Sequence, residues 1–224
     1  MSKKRASVER QSGLGARRAA AQTEQGRYFT ERRAKLSDAA AALFKERGLR
    51  NVSLQEIAER AGFNRATIYY YAASKEEIFF DIAFSAMDRF VTRAETIRYG
   101  DGGADIKIRR FIVAMMEHYE TAYPHMYVFM QEHLNSLQFD DQGRQQQLIA
   151  LSSRVEDQLL AIIDDGVATG TLRSDLTPRI FAYAILGMVN WSYRWFRPGG
   201  ALSGAEIAHQ FADAILDGTT PAAL

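Results

Sequence analysis

The sequence predicts an all-α protein, with a three-helix domain at its N-terminus and a helical bundle in the remainder. Apolar residues recur three and four positions apart, which is the periodicity of an amphipathic helix. The Ser-x-x-Glu segments that begin at Ser53, Ser74 and Ser203 have the spacing of a capping box, in which two side chains satisfy free N–H groups at a helix start. No stretch alternates apolar and polar residues over the length of a strand, and no segment repeats.

The first helix is predicted between about Thr30 and Gly48. The preceding residues, 1–27, are polar and basic and are expected to form a flexible arm. Gly48 follows the last apolar residues of the helix and can cap it in a left-handed conformation. We expect the three-helix domain to occupy residues 28–75.

Two short helices follow, separated by a tight turn. Ser53 and Glu56 form the first capping box, and Gly62 ends that helix because glycine adopts positive φ without steric cost. Asn64 can cap a third helix that spans 65–71. A second capping box, Ser74 and Glu77, opens a long fourth helix. Further helices are predicted at about 104–122, 124–137, 142–168, from Pro178 to before Pro198, and from Ser203 to Gly218.

The chain has a split charge distribution. Residues 1–75 contain 16 Lys and Arg against 7 Asp and Glu, a balance of +9, whereas residues 76–224 contain 12 against 20, a balance of −8. A basic first third favours contact with a polyanion. A basic tail on an ordinary domain would give the same balance.

Composition narrows the functional classes. No run of about 20 apolar residues indicates a membrane span, and the N-terminus lacks the apolar region of a secretory signal. Cysteine is absent, which excludes disulfides and thiolate sites and is typical of a cytoplasmic protein. No catalytic motif is present, and three histidines at 118, 125 and 133 lack metal-ligand spacing. We therefore expect no catalytic residues, no metal and no cofactor.

Two short helices joined by a glycine turn are the sequence pattern of a helix-turn-helix, whose second helix enters the major groove of DNA. Ile68 and Ala72 are expected to face the core, and Tyr71 to be partly buried. The exposed arc can read bases through Arg65 and contact sugar and phosphate through tyrosine. Alternatively, the three consecutive tyrosines only pack against neighbouring helices. The predicted DNA-binding residues are Ser53, Leu54, Gln55, Asn64, Arg65, Ala66, Thr67, Tyr69, Tyr70, Tyr71 and Lys75.

The stretch 33–78 closely resembles the DNA-binding domain of TetR-family transcriptional regulators. The family pattern is an alanine-rich first helix, G-x-x-x-x-[ST], I-A-x-x-A-G, and a tyrosine with a lysine six residues later. It is matched here by Gly48, Ser53, Ile57, Ala58, Ala61, Gly62, Tyr69 and Lys75. The sequence departs from the pattern at Ala72, where the family has an aromatic residue, and at Ala66, where glycine is frequent. The first departure leaves a volume that Tyr71 can fill.

The resemblance implies a homodimer that binds a palindromic operator in double-stranded DNA. It also implies that a C-terminal domain, residues 76–224, binds a small-molecule effector and dimerises, with the fourth helix coupling it to the DNA-binding heads. The segment 180–196 is apolar nearly all round, which predicts a helix covered on two sides. The cover is either a second subunit or the rest of a monomer.

The effector is suggested by a shorter resemblance. The segment Y-R-W-F-R-P-G-G, residues 193–200, is similar to a subgroup of the family that regulates lipid, fatty-acid or steroid degradation and responds to acyl-CoA thioesters. This implies a repressor released by an acyl-CoA. The alternatives are a repressor that senses drugs or aromatic compounds and, remotely, an all-α enzyme.

Methionine and aromatic residues cluster between 111 and 133, and such residues line adaptable apolar pockets as well as ordinary cores. Nearby arginines can contact an anionic headgroup or form surface ion pairs. The predicted effector-pocket residues are Phe111, Met115, Tyr119, Met126, Phe129, Met130, His133, Arg154, Trp191 and Arg194.

Overall fold

The computed structural model describes residues 26–131 and 142–216, and of Arg65 and Gln142 only the backbone. Over these residues the chain forms nine α-helices and no strand, so the predicted all-α fold is confirmed. The helices are α1 (26–47), α2 (Leu54–Arg60), α3 (Arg65–Tyr71), α4 (Lys75–Tyr99), α5 (Ala104–Thr121), α6 (His125–Gln131), α7 (Gln142–Ala168), α8 (Pro178–Trp191) and α9 (Gly204–Leu216).

The helices pack around one continuous hydrophobic core. Helices α1, α2 and α3 form the N-terminal head with the start of α4, and α4 continues into the body, where it packs along α7. On the other side of the body α5 packs along α9. The approach there is close, because a Cβ added at Gly204 would lie 2.8 Å from the carbonyl oxygen of Met116. Among the described helices, none has the length and apolarity needed to cross a membrane.

Capping boxes begin α2 and α9, as the sequence predicts. The Glu56 N–H donates to Ser53 Oγ at 3.2 Å, and the Ser53 N–H donates to the Glu56 carboxylate at 2.8 Å. The pair Ser203 and Glu206 repeats this arrangement, with distances of 3.3 and 2.8 Å. Helix boundaries that rest on such pairs were therefore predictable from local spacing alone.

The box at the start of α4 is only half formed. The Glu77 N–H donates to Ser74 Oγ at 3.1 Å, but the Glu77 carboxylate accepts from the Ala73 N–H at 2.8 Å. The same carboxylate lies 3.4 Å from Arg33 of α1 and 3.7 Å from Arg144 of α7. Through these two ion pairs, Glu77 connects α1 in the head with α7 in the body.

Helix α1 is already formed at Gly26, about four residues before the predicted start. The added turn has a tertiary cause that periodicity does not reveal. Phe29 packs on Tyr71 and Tyr70, with ring centroids 5.0 and 5.8 Å apart. Residues 1–25, which the sequence predicts to be a flexible arm, lie outside the described residues.

Of three later helix ends, only that of α8, which was predicted before Pro198, can be compared with the structure. Helix α8 ends at Trp191 and continues only as a 3₁₀ turn, Ser192–Arg194, well before Pro198. Helix α6 is described only to Gln131, and α9 only to Leu216, so their predicted ends at 137 and Gly218 lie outside the described range.

Candidate DNA-binding surface and effector cavity

The second helix of the helix-turn-helix, α3, is fixed at its start by a side-chain cap. Asn64 Oδ1 accepts from the Thr67 N–H at 2.8 Å and from the Thr67 hydroxyl at 2.6 Å. Gly62, with φ of 74°, makes the turn that separates α2 from α3. Ile68 and Ala72 are buried, so the opposite face of α3 is presented outward. Ala66 lies on that outward face.

The three consecutive tyrosines have different environments. Tyr69 and Tyr70 are 59% and 71% exposed, whereas Tyr71 is only 7% exposed. Tyr71 packs against Phe29 and Phe63, with ring centroids 5.0 and 5.5 Å away. The ring of Tyr71 is therefore part of the core, and the phenols of Tyr69 and Tyr70 remain open to a partner.

The start of α2 lies beside α3. Ser53 is exposed, but its hydroxyl donates to Glu56 at 2.7 Å, and the hydrogen bonds from Ser53 lower the pKa of Glu56 to about 2. Gln55 is exposed and bonded to Glu59 at 3.0 Å, while Leu54 is half-buried. The polar groups of α2 can meet a phosphate only by exchanging these internal bonds.

Lys75 has a structural role in addition to its predicted contact with DNA. Its ammonium donates to the carbonyl oxygens of Leu49 and Arg50 at 2.9 and 3.1 Å. These carbonyls belong to a 3₁₀ helix, Leu49–Asn51, between α1 and α2. The lysine thus holds that turn against the start of α4.

A cavity of about 260 Å³ lies in the body, between helices α4, α5, α6, α7 and α8. Five of the predicted pocket residues line it: Met115, Tyr119, Met126, Phe129 and Met130. The remaining lining residues are Met87, Phe90, His118, Ser152, Val155, Glu156, Leu186 and Asn190. The wall of this cavity is therefore mainly apolar and rich in methionine and aromatic residues.

Four predicted pocket residues lie elsewhere. Phe111 is fully buried in the core next to Phe90, with ring centroids 5.5 Å apart. Trp191 is 58% exposed, and the guanidinium of Arg194 lies 4.4 Å from its ring.

The fourth of them, Arg154, forms a surface ion pair with Glu95 at 2.7 Å. The spacing of residues in the sequence does not show which helical face looks inward. His133 lies outside the described residues.

The lining residues that sequence reasoning missed come mainly from α4 and α7. Met87 and Phe90 lie on a helix that also supplies much of the core, and Ser152 and Glu156 are four residues apart on one face of α7. A Ser and Glu at helical spacing are common on solvated surfaces. No signal in the sequence distinguished these from other surface positions.

Burial sets the protonation state of two groups in the lining. It lowers the pKa of His118 to about 4, with a further contribution from the nearby charge of Arg89, so the imidazole is neutral at pH 7. Burial also raises the pKa of Tyr119, whose hydroxyl donates to Asn190 Oδ1 at 2.7 Å. The cavity thus contains neutral polar groups in an apolar wall.

Comparison with known proteins gives two family matches, one in the head and one in the body. Residues 36–82 match the model described as bacterial regulatory proteins, tetR family. Residues 101–219 match the model described as tetracyclin repressor-like, C-terminal domain.

Individual relatives are similar along most of their length. The HTH-type transcriptional repressor KstR2 of Mycobacterium tuberculosis is 26% identical over 190 residues, which cover 84% of this chain and 93% of that protein. Its solved structure, described as a ketosteroid transcriptional regulator, has a TM-score of 0.78 over 85% of this chain and 95% of that one. PfmR, a TetR-family transcriptional regulator from Thermus thermophilus, is 32% identical with a TM-score of 0.74 over 81% and 97% of the two chains.

A third structure, AibR in complex with isovaleryl coenzyme A and operator DNA, has a TM-score of 0.70 over 82% of this chain and 97% of that one. At 23% identity this likeness concerns the fold alone.

Proposed function

Because the chain belongs to the TetR family of bacterial transcriptional regulators, we propose that it is a ligand-responsive repressor. As a homodimer it holds a palindromic operator in double-stranded DNA, and a small-molecule effector in the cavity releases it. Residues 1–27 serve as a basic arm, 28–75 as the DNA-binding head and 76–224 as the effector-binding and dimerisation part. The protein acts on DNA in the cytoplasm and is not an enzyme.

The observation that supports this function most directly is the course of α4. Lys75 at its start bonds to the backbone of the head, and Met87 and Phe90 line the cavity on the same uninterrupted helix. Met87 lies twelve positions after Lys75, a distance of about 18 Å along the helix axis. A ligand that shifts α4 at the cavity therefore also shifts the head.

The size of the effect is limited by the ligand's preference for the released state. A 100-fold loss of operator affinity needs about 2.7 kcal/mol of coupling between the two sites. By reciprocity, operator DNA weakens effector binding by the same factor.

We propose that the effector belongs to the acyl-CoA thioesters of lipid or steroid catabolism. Supporting this class are the similarity to KstR2, described as a ketosteroid regulator, and the segment 193–200. A sensor of aromatic compounds or drugs is the second candidate, and the methionine and aromatic lining of the cavity favours it.

Retardation of the DNA upstream of the protein's own gene tests the function. We expect a specific complex at low protein concentration, its loss on addition of one member of an acyl-CoA series, and no loss with coenzyme A alone. Arg65→Ala should weaken the specific complex by about 1–3 kcal/mol, with little effect on random DNA. Absence of any sequence-specific complex would contradict the regulatory function, and release by aromatic cations alone would favour the second candidate.

A further inference from the structure

We propose that the cavity accepts a neutral part of the effector that carries a hydrogen-bond donor such as a hydroxyl, and that it excludes carboxylates. This selection rule rests on the proposed function, since it describes the ligand of the same cavity. It follows from which polar groups line the wall and which of them already have partners.

The described residues of the wall include one carboxylate and no lysine or arginine. Among the lining residues, Glu156 is the charged one, and it has no ion-pair partner in the described part of the chain. A ligand carboxylate placed beside it would meet a like charge in an apolar space without a compensating cation. A free acid is therefore disfavoured relative to its ester or thioester.

The arginines near the cavity do not provide a positive charge that would stabilise a ligand carboxylate inside it. Arg154 is next to the lining residue Val155 in sequence but is exposed and paired with Glu95 at 2.7 Å. Arg89 and Arg93 of α4 are exposed and outside the lining, and Arg93 is paired with Glu117. An anionic part of the effector, such as the phosphates of coenzyme A, is therefore expected to stay outside the cavity.

His118 adds a hydrogen-bond acceptor to the wall. The side chain is about nine-tenths buried, and one ring nitrogen is bonded to the backbone of Ala86. Its Nε2 has no hydrogen-bond partner among the described residues and is shielded from solvent. Because the ring is neutral, Nε2 bears a lone pair and requires a donor, and the His118 ring lines the cavity. A water-sized molecule in the cavity does not touch Nε2 as the side chains stand, so a ligand hydroxyl reaches this nitrogen after a small shift of the neighbouring side chains.

The hydroxyl donors of the wall are already used. Tyr119 donates to Asn190 Oδ1 at 2.7 Å, and Ser152 donates to the carbonyl oxygen of Leu148 at 3.1 Å. Among the described lining residues, the acceptors that remain for a ligand are His118 Nε2 and the Glu156 carboxylate. The donors that remain are the side-chain amide N–H groups of Asn190. A ligand with one hydroxyl and one carbonyl would satisfy both kinds of group.

The test uses four probes of equal length: 1-octanol, 1-methoxyheptane, octanoate and octylammonium. A cavity of about 260 Å³ exceeds the ~150 Å³ that accepts benzene, so an eight-carbon chain is a suitable probe. Dissociation constants are obtained from the rise in unfolding midpoint of the full chain with probe concentration at pH 7.5. We expect 1-octanol to bind at least tenfold more tightly than both the ether and octanoate.

Two variants separate the contributions. His118→Phe keeps a planar ring but removes the acceptor, so the preference for the alcohol over the ether should fall at least threefold. Glu156→Gln removes the charge, so the preference for the alcohol over octanoate should fall by about tenfold. Asp157→Asn is the matched control, because Asp157 is exposed on the same helix and outside the lining, and it should change neither ratio.

Each outcome has a distinct meaning. Equal or tighter binding of octanoate, no difference between alcohol and ether, or no binding of any probe overturns the selection rule. Tightest binding by octylammonium overturns it in favour of a cationic effector. Operator retardation is measured on the same samples. If the selection rule fails but an effector still releases the operator, the repressor function is retained. If the probes follow the rule but no operator complex forms, the rule is retained and the repressor function fails.

Discussion

Three adjacent tyrosines show how one residue type takes different roles at successive positions of a helix. The 100° rotation per residue turns Tyr71 into the core, where it packs on Phe29 and Phe63, and leaves Tyr69 and Tyr70 exposed. Their consecutive occurrence therefore combines one structural residue with two that are available to DNA.

Tyr71→Ala should lower the free energy of unfolding by about 3 kcal/mol, since it removes a buried ring and leaves a cavity. Tyr70→Phe should leave stability within about 0.5 kcal/mol, because the hydroxyl is exposed. If that hydroxyl contacts phosphate, the same change weakens binding to operator and random DNA alike. Urea unfolding and DNA retardation measure the two effects, and unaltered DNA binding by Tyr70→Phe would remove the phenol from the interface.

Stability should depend on pH through His118. Its pKa is about 4 in the folded protein, below the ordinary value of 6.5, so the unfolded chain binds the proton more readily. The stabilisation is present above about pH 6.5 and is lost as pH falls toward 4, with a loss of about 2–3 kcal/mol by pH 4.5. Burial also lowers the pKa of His125, which acts in the same direction.

The check is urea unfolding of the wild type and His118→Phe at pH 7 and pH 4.5. Removing His118 should reduce the difference in unfolding free energy between the two pH values. An equal difference in both proteins would mean that the acid sensitivity arises at other groups.

Single residues were predictable where local spacing determines their environment. The exposure of the tyrosines followed from helical geometry and from the motif around them. Arg154 was a candidate for contact with an anionic headgroup or for a surface ion pair, and its partner is Glu95, 59 positions away, on another helix. Long-range pairing of this kind leaves no pattern within a short window.

Among the elements, the start of α4 depends on Lys75. Lys75→Met keeps the aliphatic part but removes two bonds from the ammonium to the carbonyls of Leu49 and Arg50. Hydrogen bonds to charged groups contribute about 1.5–3 kcal/mol, so the head should be destabilised by a similar amount. If Lys75 also contacts a phosphate, Lys75→Met should in addition reduce the slope of log affinity against log salt concentration by about one unit.

The two roles of Lys75 are separable. Unfolding by urea reports the structural bonds, and the slope of operator affinity against salt reports the phosphate contact. Lower stability with an unaltered slope would assign Lys75 to structure only.

Helix α6 offers a second connection between cavity and head. It carries Met126 and Phe129 in the wall, while His125 at its start bonds to the backbone of Ser37 and lies 3.4 Å from Asp38 on α1. No pattern in the sequence indicates this contact, because α1 and α6 are far apart along the chain.

His125→Leu should therefore reduce the coupling between effector and operator by about 0.5–2 kcal/mol. The quantity measured is the ratio of operator affinities with and without the effector that releases the wild type. Asp164→Asn is a suitable control, because Asp164 is exposed on α7 and outside the cavity lining. An unaltered ratio in His125→Leu would confine the coupling to α4.

At the scale of the whole molecule, α8 presents an apolar face to the outside. Ile180 and Trp191 are 65% and 58% exposed, and Tyr183 and Gly187 lie between them on the same face. Any Cβ added at Gly187 would meet nothing within 4 Å, so the backbone there is open to close approach by another helix. The rest of the described monomer does not cover this face, which favours a second subunit over a buried central helix.

Ile180→Glu should produce monomers, because it places a charge on a surface that has to lose water on pairing. Ile149→Glu is the matched control, since Ile149 is also an exposed isoleucine, at 42%, but lies on α7. Sedimentation should give a dimer at micromolar concentration for the wild type and the control, and a monomer for Ile180→Glu. The monomer should also lose most of its operator affinity, because two heads held about one DNA turn apart bind a palindrome far more tightly than one. A wild-type protein that sediments as a monomer, or a dimeric Ile180→Glu, would contradict pairing through α8.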